Sequence, residues 1–173
     1  MPQKKVAETR CPTFHLIQQA DYPMGYTLTC LNECWSALSA IRQEDYLFQL
    51  RHLYRLAGWW SESGDTLEKL VGIISGSHCF VAAVQDTGVI LGMGRAISDR
   101  ASDAYIQDVM VRPEARRQAI ASSIMKVILA RLNLDGMTWI GLIAKQGTQP
   151  FYHGLGFSEM PDATPMLRKN EIL

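Results

Sequence analysis

No run of the sequence is apolar for long enough to span a bilayer, which takes about 20 residues, and neither sign of charge is in excess. Lys plus Arg number 17 and Asp plus Glu 17, a formal net charge of zero. A nucleic-acid surface normally shows basic excess, so no nucleic-acid partner is expected, and no membrane partner. Zero net charge favours self-association, so a homodimer stands among the expectations. The first ten residues are polar and lack the apolar segment of a secretion signal, so a soluble cytoplasmic protein is expected. Cysteine is scarce, with four in 173 residues. Cys11 with His15, and Cys30 with Cys34, suggest two halves of a zinc site, but the spacings are looser than in the usual clusters. Reduced, structural thiols are the better reading, and no metal is expected. There is no internal repeat and no low-complexity segment.

What is present is an ordinary globular composition, 47% hydrophobic and 20% charged, long enough for one domain with a sizeable core. Residues 1–25 read as an irregular extension or edge segment, punctuated by Pro2, Pro12 and Pro23, with the domain over 26–173. Tyr26 to Leu31 alternates Thr with bulkier residues, a strand signal. Glu44 to Ala57 places Leu47, Leu50, Leu53 and Tyr54 at helical spacing, ended by Gly58. Asp65 is positioned to cap a second helix whose apolar face is Leu67, Leu70, Val71 and Ile74. Cys79–Val84 and Val89–Ile97 flank Asp86-Thr87-Gly88 and read as a hairpin. Ala104–Val111 is a third strand, with Tyr105, Gln107, Val109 and Val111 on one face. Arg116–Asn133 reads as a helix, Met137–Ala144 as a buried strand and Pro150–Leu155 as a short helix behind Thr148. A short strand pair is expected to close the chain. The strand–helix–strand stretch over 104–144 is a βαβ unit with parallel strands, whereas the earlier strands, joined by tight turns, are antiparallel. The expected fold is α/β.

The stretch most telling for chemistry is Tyr105 to Met125. A strand ends at Pro113, an arginine-containing loop follows, and small residues open a long helix. Unpaired N–H groups at a helix start, with the positive end of its dipole, suit a pyrophosphate, and Arg116 and Arg117 add charge. The plain alternative is a strand-to-helix connection with surface arginines. Further along, Phe151 and Tyr152 precede one helical turn and Gly156-Phe157. His52, His78 and His153 show no triad spacing with Ser or Cys.

Val111-Arg112-Pro113 followed by Arg116-Arg117-Gln118-Ala119-Ile120-Ala121 resembles the GNAT superfamily of acetyl-CoA-dependent N-acetyltransferases. That family's pyrophosphate loop reads Arg/Gln-x-x-Gly-x-Gly/Ala after Val-x-Pro. Phe151-Tyr152-His153-Gly154-Leu155-Gly156-Phe157 is similar to a second family segment. The resemblance covers about residues 26–169 and departs at Ala119, where a methyl group stands in place of the first glycine.

It implies a GNAT fold: a mixed, mainly antiparallel sheet, helices on both faces, and splayed parallel fourth and fifth strands. The pantetheine arm would meet backbone of Val109, Met110 and Val111, and the pyrophosphate Arg116 to Ser122, that is Arg116, Arg117, Gln118, Ala119, Ile120, Ala121 and Ser122. Tyr152 would be the general acid for the leaving thiolate. Around the amine, three alternatives stand: Asp108 serves as base through a strand bulge, Gln107 orients a water, or the amine arrives neutral. Trp59, Trp60 and Arg95 would border the acceptor, although Arg95, Asp99 and Arg100, which follow the hairpin, read better as solvated turn charges. The implied reaction is acetyl transfer from acetyl-CoA to a small-molecule or peptide amine in a ternary complex. Ala119 and Gln107 keep a non-catalytic CoA-binding module as the rival.

Overall fold

The computed structural model describes residues 25–168. But for Gly25, the expected extension over 1–25 lies outside the described residues, and Cys11 and His15 lie there too. The chain divides into two units, one running to Gly141 and one beginning at Leu142.

In the first unit, β1 (Tyr26–Cys30) is followed by a short helix, α1 (Leu31–Cys34), and a 3-10 turn. Then come α2 (Ala40–Ala57), α3 (Leu67–Gly76), β2 (Cys79–Gln85), β3 (Ile90–Ser98), β4 (Asp103–Val111), α4 (Ile120–Leu134) and β5 (Trp139–Leu142). The strands lie in the order β1-β2-β3-β4-β5. The first three pairings are antiparallel. The α4 crossover makes β4 and β5 parallel. Consistent with this, Thr138 and Trp139 both donate to the Ser102 carbonyl just ahead of β4. The sheet is mixed and mainly antiparallel, as the sequence resemblance implies.

Helices cover both faces because β2 is buried on both sides. Phe80, Ala82 and Val84 join Leu50, Leu53, Leu70 and Ile74 in the core under α2 and α3. The opposite face takes α4, whose Ile120, Ile124, Val127, Ile128 and Leu132 are buried. Gly94 lets α4 approach closely, since a Cβ there would sit 2.9 Å from Ile124 Cγ2.

Several boundaries differ from the sequence expectation. α2 starts at Ala40, because Ser39 Oγ accepts from Arg42 N. Thr66, not Asp65, caps α3; Asp65 instead accepts from Ser61 N and pairs with Lys69. α4 begins at Ile120, four residues late, because Arg117 and Ala119 adopt left-handed backbone. In the second unit a short helix, α5 (Gln149–His153), matches the expected one. The closing strand pair is absent from the described residues: 157–168 form no strand, and Pro161 and Pro165 supply no N–H to a ladder.

Candidate active site

β4 carries one residue more than β3 across the same span: Met93 pairs with Met110, but Arg95 pairs with Gln107. The extra residue is Asp108, at φ +58. Aspartate tolerates this left-handed conformation better than most residues, so the strand bulges there. The bulge breaks the expected alternation. Gln107 and Asp108 both turn to the α2 face and meet Arg95, and Met110 packs on that same core. Val109 falls on the α4 side, where its Cγ2 stands beside Gly94 with Ile124 and Ile128. Thus Gln107 and Val109 do not share a face.

Arg95 is therefore no solvated turn charge. Its Nε donates to Asp108 Oδ2 at 2.5 Å and its Nη2 to Gln107 Oε1 at 2.9 Å, with the Arg95 side chain only 13% exposed. Tyr54, on α2, donates its hydroxyl to the same Oδ2 at 2.8 Å. Burial first, and the Asp108 carboxylate second, hold the Tyr54 phenol far above its ordinary pKa, so it remains a donor. Both bonds fall on Oδ2, which leaves Oδ1 for another donor. Trp59 meets the Tyr54 ring edge-on at 6.1 Å and is 47% exposed. Trp60 packs against the core instead. In the sequence Tyr54 stands only on an apolar helix face; nothing in its spacing signals a bond to a residue 54 positions away.

Beyond β4, a 3-10 turn at Pro113–Ala115 leads into the loop. Arg112 anchors it, with its N–H on the Leu91 carbonyl and its Nε on the Ile90 carbonyl. Arg116 Nε donates to the Val111 carbonyl at 3.3 Å, and both Arg116 and Arg117 are exposed. Ala119 is the N-cap of α4 at φ +58 and offers no side-chain cap. Backbone N–H groups of residues 117–122 have no acceptor among the described residues. Successive free N–H groups at a helix start form an anion-binding concavity. The fit to a pyrophosphate is good: Ala119 already holds the conformation that glycine would supply, at a cost of about 1 kcal/mol. Ile120 is buried, so only its backbone serves the loop.

In the second unit, Tyr152 lies between Phe151 and Phe157, with ring centroids 4.9 and 6.1 Å away. Burial raises its pKa. His153 is exposed and pairs with Glu159.

A further polar network is invisible to sequence spacing. His78 Nδ1 lies 2.5 Å from Ser98 Oγ and Nε2 lies 2.7 Å from Asp135 Oδ2. Arg131 bonds Asp135 and Glu33 in turn. Among the described residues, the N–H groups next to this Ser–His–Asp chain are already engaged. The Arg100 N–H points at Ser98 Oγ itself, and the N–H groups of Ala101, Ser102 and Asp103 all bond Asp99 Oδ1. It is a clamp between β2, β3 and α4. Cys30, Cys34 and Cys79 are buried free thiols, and no metal-holding group occurs among the described residues.

A family model described as an acetyltransferase (GNAT) domain matches residues 75–159. The uncharacterized N-acetyltransferase ycf52 of Porphyra purpurea is 27% identical over 119 residues, 67% of each chain. Other curated relatives match over 73 residues, so the chain spans less than half their length. A GNAT-family acetyltransferase from Streptococcus pneumoniae TIGR4 superposes with a TM-score of 0.61 at 28% identity, over 73% of this chain and 92% of that one. AAC(6')-Iy, solved with the bisubstrate analog CoA-S-monomethyl-acetylneamine, shares the fold at 19% identity, with a TM-score of 0.58 over 73% of this chain and 92% of that one. A chain that matches this domain model through its central strands and α4 resembles the N-acetyltransferases of the GNAT superfamily in sequence and shares their fold.

Proposed function

We propose that the enzyme moves an acetyl group from acetyl-CoA to a primary amine by direct attack in a ternary complex. The observation that carries this reading is the run of free N–H groups over residues 117–122, flanked by two exposed arginines. Those groups would hold the pyrophosphate. Acetyl-CoA supplies the thioester that the amine opens. Backbone of Val109 to Val111, next to the bulge, would bind the pantetheine arm and polarise the thioester carbonyl. The amine nitrogen bonds the carbonyl carbon and gives up a proton to solvent, the C–S bond breaks, and the thiolate takes a proton. Tyr152 is the acid we assign to that proton, because its raised pKa keeps the phenol protonated. Asp108 is the group we assign to the ammonium, since it alone of the pair Gln107-Asp108 accepts a proton and its Oδ1 is open. Gln107 serves as a strut for Arg95.

The test is binding. Acetyl-CoA at 100 times its dissociation constant stabilises the fold by about 2.7 kcal/mol, enough to raise a melting curve. Arg116→Ala should weaken binding, and the loss should be smaller at high salt, where the charge contact is already screened. The absence of any shift at millimolar acetyl-CoA, with no heat by calorimetry, would overturn the reading.

A further inference from the structure

The surface beside Asp108 bears on the identity of the acceptor. Arg95 pairs with Gln107 and Ile97 with Tyr105, so Ile97 and Tyr105 form the next row on the same face of the sheet. Two residues of strand separate these rows by roughly 7 Å. Trp139, the first residue of β5, completes this row and is 49% exposed. Its indole lies flat across Gly141, where a Cβ would come within 2.5 Å of the ring. Ile97, Tyr105 and Trp139 floor an open depression of about 250 Å³. Its charged lining residues are Asp99 and Asp103; no Lys or Arg contributes. Asp99 remains anionic across the physiological range, because the N–H groups of Ser102, Ala101 and Asp103 hold its carboxyl at about 2. On the other side of the floor, the Arg95 charge is matched by Asp108.

We infer that this depression is the acceptor subsite and that the acceptor is a small arylalkyl primary amine. Its ring would rest on Tyr105, Ile97 and Trp139 and its ammonium would reach Asp108 Oδ1. The inference rests on the acetyl-transfer reading and adds the substrate class. Two features select that class. The floor is apolar and partly aromatic, which suits a flat ring. Carboxylates lie at both ends, which favours a cation over an amino acid or sugar phosphate.

The experiment compares kcat/KM for 2-phenylethylamine and n-butylamine at saturating acetyl-CoA, in the wild type, Trp139→Ala and Trp139→Phe. An apolar group seated in a pocket changes kcat/KM by roughly 10- to 200-fold, so the wild type should prefer the aryl amine at least about 10-fold. Trp139→Ala should erase most of that preference through KM, leaving acetyl-CoA KM unchanged. Trp139→Phe should restore it. Independently of turnover, 2-phenylethylamine should change the tryptophan fluorescence of the wild type more than that of Trp139→Phe. Equal use of the two amines, a preference insensitive to Trp139→Ala, or stronger use of a basic peptide would overturn the inference. Each of these outcomes still shows an amine acetylated by acetyl-CoA, whereas failure of the acetyl-transfer reading leaves every amine unacetylated.

Discussion

Two arginine–aspartate networks flank the sheet, and they differ in what remains open. On the α2 face, Asp108 takes Arg95 and Tyr54 on one oxygen and keeps the other free, in side chains about one-seventh exposed. At the opposite end of β3, His78 joins Ser98 to Asp135 with both ring nitrogens engaged. By residue type, the His78 network is the closer match to a catalytic triad. By open valence, only the Asp108 network can receive a ligand. Reactivity follows the group with a free lone pair beside a surface, and a saturated buried network serves to hold elements together.

The sharpest break between the two networks should come from Asp108→Asn. It preserves shape and removes the proton acceptor. We expect kcat/KM to fall by roughly 10²- to 10⁴-fold at neutral pH, the span of general acid–base contributions. Partial recovery should follow at high pH, where free amine is abundant, since an alkylamine of pKa near 10 is protonated at neutrality. A pH–rate profile that stays the same in Asp108→Asn would make the carboxylate structural, with the proton leaving by solvent.

The His78 network should respond in stability and not in turnover. His78→Ala removes two buried bonds and should cost about 1–3 kcal/mol, a melting shift on the order of 5 °C, with kcat/KM at working temperature unaltered. The pH dependence sharpens this. Burial opposes ionisation of Asp135, but Arg131 and His78 bonds outweigh it and hold its carboxyl below the usual value. A depressed carboxylate stabilises fully above its unfolded value of about 3.9 and loses that contribution as pH falls through the lower folded value. The stability gap between wild type and Asp135→Asn should therefore narrow below about pH 4. A gap that widened below about pH 4 would contradict the clamp.

The smallest effect is expected at Ala119, which, like Asp108, is a non-glycine residue that the fold holds left-handed. Ala119→Gly relieves about 1 kcal/mol of backbone strain and opens the approach to the free N–H groups. Acetyl-CoA KM should fall a few-fold in steady-state assays, while kcat stays constant. An increase in KM would show that the methyl group contributes contact.

Legibility in the sequence follows the range of the interaction. Helical spacing over Leu47 to Tyr54, the Asp86–Gly88 turn and the Val-x-Pro loop are local patterns, and each corresponds to an element or boundary in the structure. The start of α4 departs from its expected place because left-handed Arg117 and Ala119 interrupt a stretch whose composition favours helix. The expected closing strands do not form where Pro161 and Pro165 would interrupt a ladder. Asp108 is legible as a candidate only on condition of a bulge, and a bulge is a property of two strands in register.

By itself, the sequence determined the α/β class, the order of the strands and of helices α2 to α5, and the family resemblance, since periodicity, capping and motif spacing act over a few residues. Tertiary structure decided which face Gln107 and Asp108 occupy, that Arg95 and Tyr54 meet on one carboxylate oxygen, and that Ser98, His78 and Asp135 form a closed chain. It also laid Trp139 beside Tyr105. Those groups lie from 12 to 57 residues apart in paired bonds. Only strand register and helix packing bring them within hydrogen-bonding distance, and one inserted residue in β4 reverses which face each side chain takes.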